Sequence, residues 1–173
     1  MTEVLETWAA RIALWAGLAI ATAGAIGLPV VARAAEPGAA GVWYDDTGRG
    51  AVELRPCGGG LCGYVYWLRD PINAEGKPLR DRYNPDAAAQ QRPICGLQVI
   101  GDLAAQPDGS WDGGWIYDPK VGKTYKVEVR QQGPDTLTVR GYLSIKLMGK
   151  SYSWSRAPKD LPACDGRPPA LAR

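Results

Sequence analysis

The chain contains no histidine and no phenylalanine, and only two of its 173 residues are methionine. The missing histidine excludes the most chemistry. It removes the commonest general base and the commonest metal ligand. It also rules out Ser-His-Asp and Cys-His nucleophilic machinery and the usual catalytic zinc sites. No other catalytic constellation stands out, so the expectation is a protein that is not an enzyme and has no metal and no cofactor. A strong charge of either sign is missing too: 20 basic residues face 18 acidic ones, for a net +2. That balance does not suggest a nucleic-acid binder. Helical periodicity is absent beyond the N-terminal segment. What is present is seven Trp, eight Tyr, 22 Gly and 14 Pro, a composition of aromatic strands and frequent turns.

The N-terminus reads as a targeting segment. Residues 12–32 are apolar or small apart from Thr22, and Ala32-Arg33-Ala34 supplies an A-x-A cleavage pattern before Ala35. A signal helix over 1–34 followed by a short linker, 35–40, is expected, with an uncleaved anchor as the alternative. Cleavage would leave no membrane span and place the rest in the periplasm or outside the cell. Four cysteines then imply disulfides. Cys57 and Cys62 are separated by a hairpin-length loop and can face each other across it, which leaves Cys95 with Cys164.

Eight short alternating segments follow: 41–44, 51–56, 61–68, 94–103, 110–117, 123–131, 136–143 and 151–156. In the sixth, Tyr125, Val127 and Val129 face one way and Lys126, Glu128 and Arg130 the other. Most connections have turn length, which predicts an all-β antiparallel meander. Closing it into an eight-stranded up-and-down barrel over 41–157 removes both free edges, with 158–173 as a tail. A two-sheet sandwich is the alternative. In a barrel, loops alternate between ends. The loops at 46–50, 69–93, 118–122 and 144–150 then share one end. Arg156 falls at the other, beside Trp43.

The connection at 69–93 is far longer than the rest and carries Pro71, Pro78, Pro85 and Pro93. A loop of that length in a compact domain is a lid, a binding loop or disorder; an ordered cover over the barrel mouth is the expectation here. Glu75, Asp81, Asp86 and Asp118 could supply paired carboxylates, but solvated loop charges explain them more simply. Gly122-Lys123-Thr124 lacks the first glycine and the helix of a phosphate loop. Trp67, Trp115, Tyr125, Tyr152 and Trp154 are placed on the inward face, first as core and second as a stacking platform for a ring or sugar. Arg92 and Arg140 are expected to bond loop carbonyls, with a grip on an anionic ligand as the functional alternative. These seven are the ligand-binding candidates.

Trp43 in a G-x-W segment of the first strand and Arg156 on the last resemble the pair with which lipocalins close their barrel, the guanidinium stacked over the indole. A longer string is more specific. GVWY, LCGYVYWL, DRYNPD, RPICGL, WDGGWIYDPKVGKTY, LTVRGYL and WSR resemble the bacterial family catalogued as domain of unknown function 2147, over about residues 41–156. That resemblance implies a small exported lipocalin-like barrel, and adds support for Cys95–Cys164 as a tie between the tail and the fourth strand. It implies no catalytic residue. Two functions follow as expectations. One is binding of a small apolar or aromatic ligand under the 69–93 loop. The other is a filled barrel acting as an envelope-associated interaction module, its protein partner unspecified.

Overall fold

Each strand of the chain bonds to the next in antiparallel register, and the last returns to the first, closing a barrel in the order β1 to β8. The strands are β1 (Gly41–Tyr44), β2 (Gly50–Cys57), β3 (Gly60–Leu68), β4 (Gln98–Ala105), β5 (Trp111–Asp118), β6 (Lys123–Gly133), β7 (Thr136–Tyr142) and β8 (Lys150–Arg156). The structure is a computed structural model that describes residues 38–166. The expected signal segment, 1–34, lies outside the described residues, as do 35–37 and the tail beyond 166. Among the described residues no helix is long and apolar enough to cross a membrane.

Closure rests on Trp43 opposite Arg156 and Tyr44 opposite Ser155. With no free edge, the sandwich is set aside. Alternation in β6 and β7 delivers Val127, Val129, Leu137 and Val139 to the interior, all essentially inaccessible. Both disulfides are present. Cys57–Cys62 spans the β2–β3 hairpin with Cα atoms 5.8 Å apart, and Cys95–Cys164 joins them at 5.9 Å. The second straps the tail against β3: Cys164 N–H donates to Tyr66 O at 2.8 Å, and the Tyr66 hydroxyl donates to Leu161 O at 2.9 Å. Tyr66 is therefore buried.

Three local features depart from simple alternation. The fourth strand starts at Gln98 instead of residue 94. Gly96 has φ +78, and Leu97 N–H bonds Ile94 O in a turn, so this apolar stretch is buried without being a strand. In β3, Val65 faces Val52 while Trp67 faces Ala51, which leaves Tyr66 as an extra residue. A bulge of this kind reverses which side chains point inward. In β5, Trp111 faces Val129 and Gly114 faces Val127, with Gly113 at φ +79 between them. The parity of β5 reverses there as well.

Candidate functional site: a calyx beneath the long loop

The interior has two halves. At the closed end the core is filled by Trp43, Leu54, Leu61, Ile100, Leu103 and Leu137, all nearly or wholly inaccessible. Trp43 Nε1 donates to Ala39 O at 2.9 Å, and the Arg156 guanidinium sits 3.9 Å from the indole centroid. Arg156 also bonds Pro134 O at 2.6 Å. Ala39, in the expected linker, is buried in this floor.

Above the floor lies a cavity of about 1230 Å³. Its walls include Val52, Val65, Leu68, Val99, Ile116, Tyr125, Val139, Tyr152 and Trp154. Part of this space comes from β7, which loses side-chain volume toward the mouth. On β7 the inward series runs Leu137, Val139, Gly141. A methyl on Gly141 would meet nothing nearer than 4.0 Å, the distance to Ile116 Cγ2 and Tyr125 Cβ. All four loops that parity assigns to one end contribute to the lining, among them Thr47, Leu79, Lys120 and Met148.

The long loop covers this end as an ordered structure. Bridges pair Ile72 with Pro78 and Arg80 with Pro93. Asp86 caps the one-turn helix Ala87–Ala89. Leu79 and Ile94 reach the cavity from above. The anchor is Asp81, wholly inaccessible to solvent. Its carboxylate accepts from the Tyr117 hydroxyl at 2.6 Å, Asn84 Nδ2 at 2.8 Å and Arg92 Nη2 at 2.8 Å. Burial pushes the Asp81 pKa up, but the hydrogen bonds from Tyr117, Arg92 and Asn84 outweigh it and hold it below the ordinary carboxylate value. Tyr117, desolvated and facing that carboxylate, is pushed up to about 12. Asp81 is thus a structural anion that pins the loop to β5.

The sequence-derived candidates divide. Tyr125, Tyr152 and Trp154 line the calyx together. Trp67 does not: the bulge at Tyr66 turns it outward, where it packs edge-on against Tyr44 with centroids 5.6 Å apart. Trp115 also lies outside. After the bulge at Gly113, Ile116 lines the calyx, while Trp115 is absent from its lining, covers Gly101 and donates Nε1–H to Asp102 at 2.9 Å. Arg92 bonds a carboxylate instead of loop carbonyls, and Arg140 donates to Ser151 Oγ at 2.9 Å on the outer wall. Two of the loop carboxylates serve their own turns: Asp118 accepts Lys120 N–H at 2.9 Å, and Asp86 accepts Ala88 N–H at 2.9 Å. Sequence reasoning missed the roles of Asp81 and Tyr117. The alternation of Leu79, Asp81 and Tyr83 gives no sign that the middle residue is buried, and its main partner is 36 residues away.

Residues 41–156 match the model of a family described as an uncharacterized protein conserved in bacteria, domain of unknown function 2147. A solved structure, protein HP1028 from the human pathogen Helicobacter pylori, described as belonging to the lipocalin family, is similar at 25% identity with a TM-score of 0.59. The likeness covers 69% of this chain and 82% of that one. No curated protein matches the chain.

Proposed function

The chain belongs to this bacterial family of domain of unknown function 2147, and from that premise we propose that its calyx binds a small, mainly apolar ligand. The observation that carries this is the cavity of about 1230 Å³ walled by valine, isoleucine, leucine and aromatic side chains. Small-molecule sites are concave, largely preformed and mostly apolar, with a few polar groups for orientation. The tyrosines at 125 and 152 and the ionisable rim supply those groups. Trp154 and Tyr125 offer ring faces for stacking. A void of this size supports binding over a filled interaction module. The same reading assigns the protein no reaction. Two disulfides support an oxidising compartment, in line with a leader at 1–34, a barrel at 41–157 and a tail at 158–173.

Native mass spectrometry of the protein isolated from its own cells tests this. A co-purifying mass of roughly a few hundred daltons, released by organic solvent, is the expected result. Protein that carries no such mass, and that takes up no apolar fluorescent probe, would contradict it.

A further inference from the structure

The rim of the calyx carries large apolar side chains that remain mostly exposed. On the β7–β8 connection Leu147 is 90% exposed, Met148 81% and Leu143 72%, and Ile145 is also more than half exposed. Single exposed leucines are ordinary; four large apolar residues within 143–148 mark an interaction site. Tyr83 on the long loop and Val121 on the β5–β6 turn are exposed at the same end, their loops packed together at Gly122, where an added methyl would overlap the Tyr83 carbonyl.

This connection is not a loose strand of chain. Residues Lys146–Met148 form a one-turn helix. Lys146 Nζ lies 2.5 Å from Asp112 and 3.1 Å from Glu128 on the outer barrel wall. Those bonds tie Lys146 to the barrel and leave Leu147 and Met148 turned to solvent. An apolar tip that is already ordered gives up little entropy on docking.

Charge indicates what it meets. The ionisable residues around the calyx are Lys77, Arg80, Arg82, Lys120 and Lys150 against Asp45, Asp46 and Asp118. Asp45 and Asp118 accept hydrogen bonds within their own turns, from Thr47 at 2.7 Å and from Lys120 N–H at 2.9 Å, and keep their charge, so these groups leave a modest positive excess. The mouth is therefore an apolar tip set in a mixed rim with an excess of basic residues. We propose that the open end docks on an anionic lipid bilayer, with Leu147 and Met148 entering at headgroup depth and Lys120 and Lys150 facing lipid phosphates. Basic residues beside interfacial apolar ones are the pattern that anionic membrane surfaces attract. A second copy fits less well, since a twofold contact would set one net-positive rim against another. The docking rests on the rim alone and not on what the calyx holds.

The test uses the full chain as its cells deliver it, with vesicles of phosphatidylglycerol and phosphatidylcholine or of phosphatidylcholine alone. Amide exchange reads the rim directly, whichever form the N-terminus takes. Residues 143–150 should exchange several-fold more slowly on the anionic vesicles, and this protection should fade in high salt. Leu147→Ser with Met148→Ser should remove the protection on every vesicle, while Lys120→Glu with Lys150→Glu should weaken it roughly tenfold on anionic ones. Both pairs are at the surface, so denaturation midpoints should stay close to the parent's. Exchange at 143–150 that vesicles leave unchanged would overturn the proposal. So would protection that both double variants retain, or protection that follows protein concentration without lipid, which would assign the rim to a second copy.

Discussion

On the inner wall of the barrel, an added methyl group has no room at Gly63 and Gly114 near the floor and ample room at Gly141 near the mouth. On Gly63 it would come within 2.9 Å of Ile100 Cβ and 3.1 Å of both Leu54 and Val52. On Gly114 it would press into Gly101 O and Leu103. On Gly141, inward-facing on a neighbouring stretch of the same barrel, it would touch Ile116 and Tyr125 only at 4.0 Å. One residue type thus serves opposite ends: at the floor it lets close neighbours interdigitate, and at the mouth it leaves space. The two ends also differ in what holds them. The floor is apolar packing sealed by one cation over one indole. The mouth is closed by a loop whose anchor is a buried carboxylate with three hydrogen-bond donors. Packing is indifferent to pH, and a carboxylate anchor is not.

The floor should show the largest effect. Trp43→Ala deletes a fully buried indole and should lower stability by about 3–5 kcal/mol. Arg156→Lys keeps the charge but loses the planar stack, at a cost of about 1–2 kcal/mol. Chemical denaturation measures both; midpoints that stay in place would break the assignment of this end as the sealed one. Next comes the anchor. Asp81→Ala leaves Arg92, Tyr117 and Asn84 without their shared acceptor, for a loss of about 3 kcal/mol. The loss should be local: amides at 79–94 should exchange faster while those around Trp43 do not. Smaller again, Gly63→Ala should cost about 1–3 kcal/mol by overpacking, whereas Gly141→Ala should stay within about 0.5 kcal/mol of the parent or gain slightly.

A pH response should appear as well, and at the loop it should precede any change in β1, β2 and β8. The folded Asp81 pKa is below its unfolded value of about 3.9. Its contribution is therefore complete above about pH 4 and lost as pH falls through the lower, folded value. Tyr117 runs the other way. Raised from about 10 when unfolded to about 12, its contribution is complete below about pH 10 and lost as pH climbs toward 12. Amide exchange across the loop should accelerate at both extremes before β1, β2 and β8 loosen. Loop and floor loosening at the same pH would remove the distinction between them.

Period-two patterning was enough to read the number of strands, the closed meander and the end to which each loop belongs. Those properties depend on which residues are apolar and on counting turns, and both are local. The same count placed Arg156 beside Trp43, and the resemblance to lipocalins supplied the expectation that they stack. What could not be read this way were the points where the backbone gains one residue. Tyr66 and Gly113 sit inside good strand patterns, and the partner strand alone shows that each stretch is one residue too long. Each bulge moved one tryptophan, Trp67 and Trp115, from the expected calyx to the outer wall. The Ile94–Leu97 turn was hidden similarly, because burial imposed from outside the local sequence makes a turn as apolar as a strand. Asp81 was unreadable for the opposite reason: a charged residue in a charged loop gives no local sign of burial, and its hydroxyl partner comes from β5.

The upper half of this barrel holds an apolar cavity beneath the loop, and the lower half is filled. Gly141→Trp tests this most directly, by placing an indole where the wall has space while leaving the loop anchor and the floor untouched. An environment-sensitive apolar probe titrated into the parent and the variant gives the reading. The parent should bind saturably at one site and the variant at least about tenfold more weakly, with unchanged denaturation midpoints. Equal probe affinity in a folded variant would contradict this, and so would a Gly141→Trp chain destabilised as severely as Trp43→Ala.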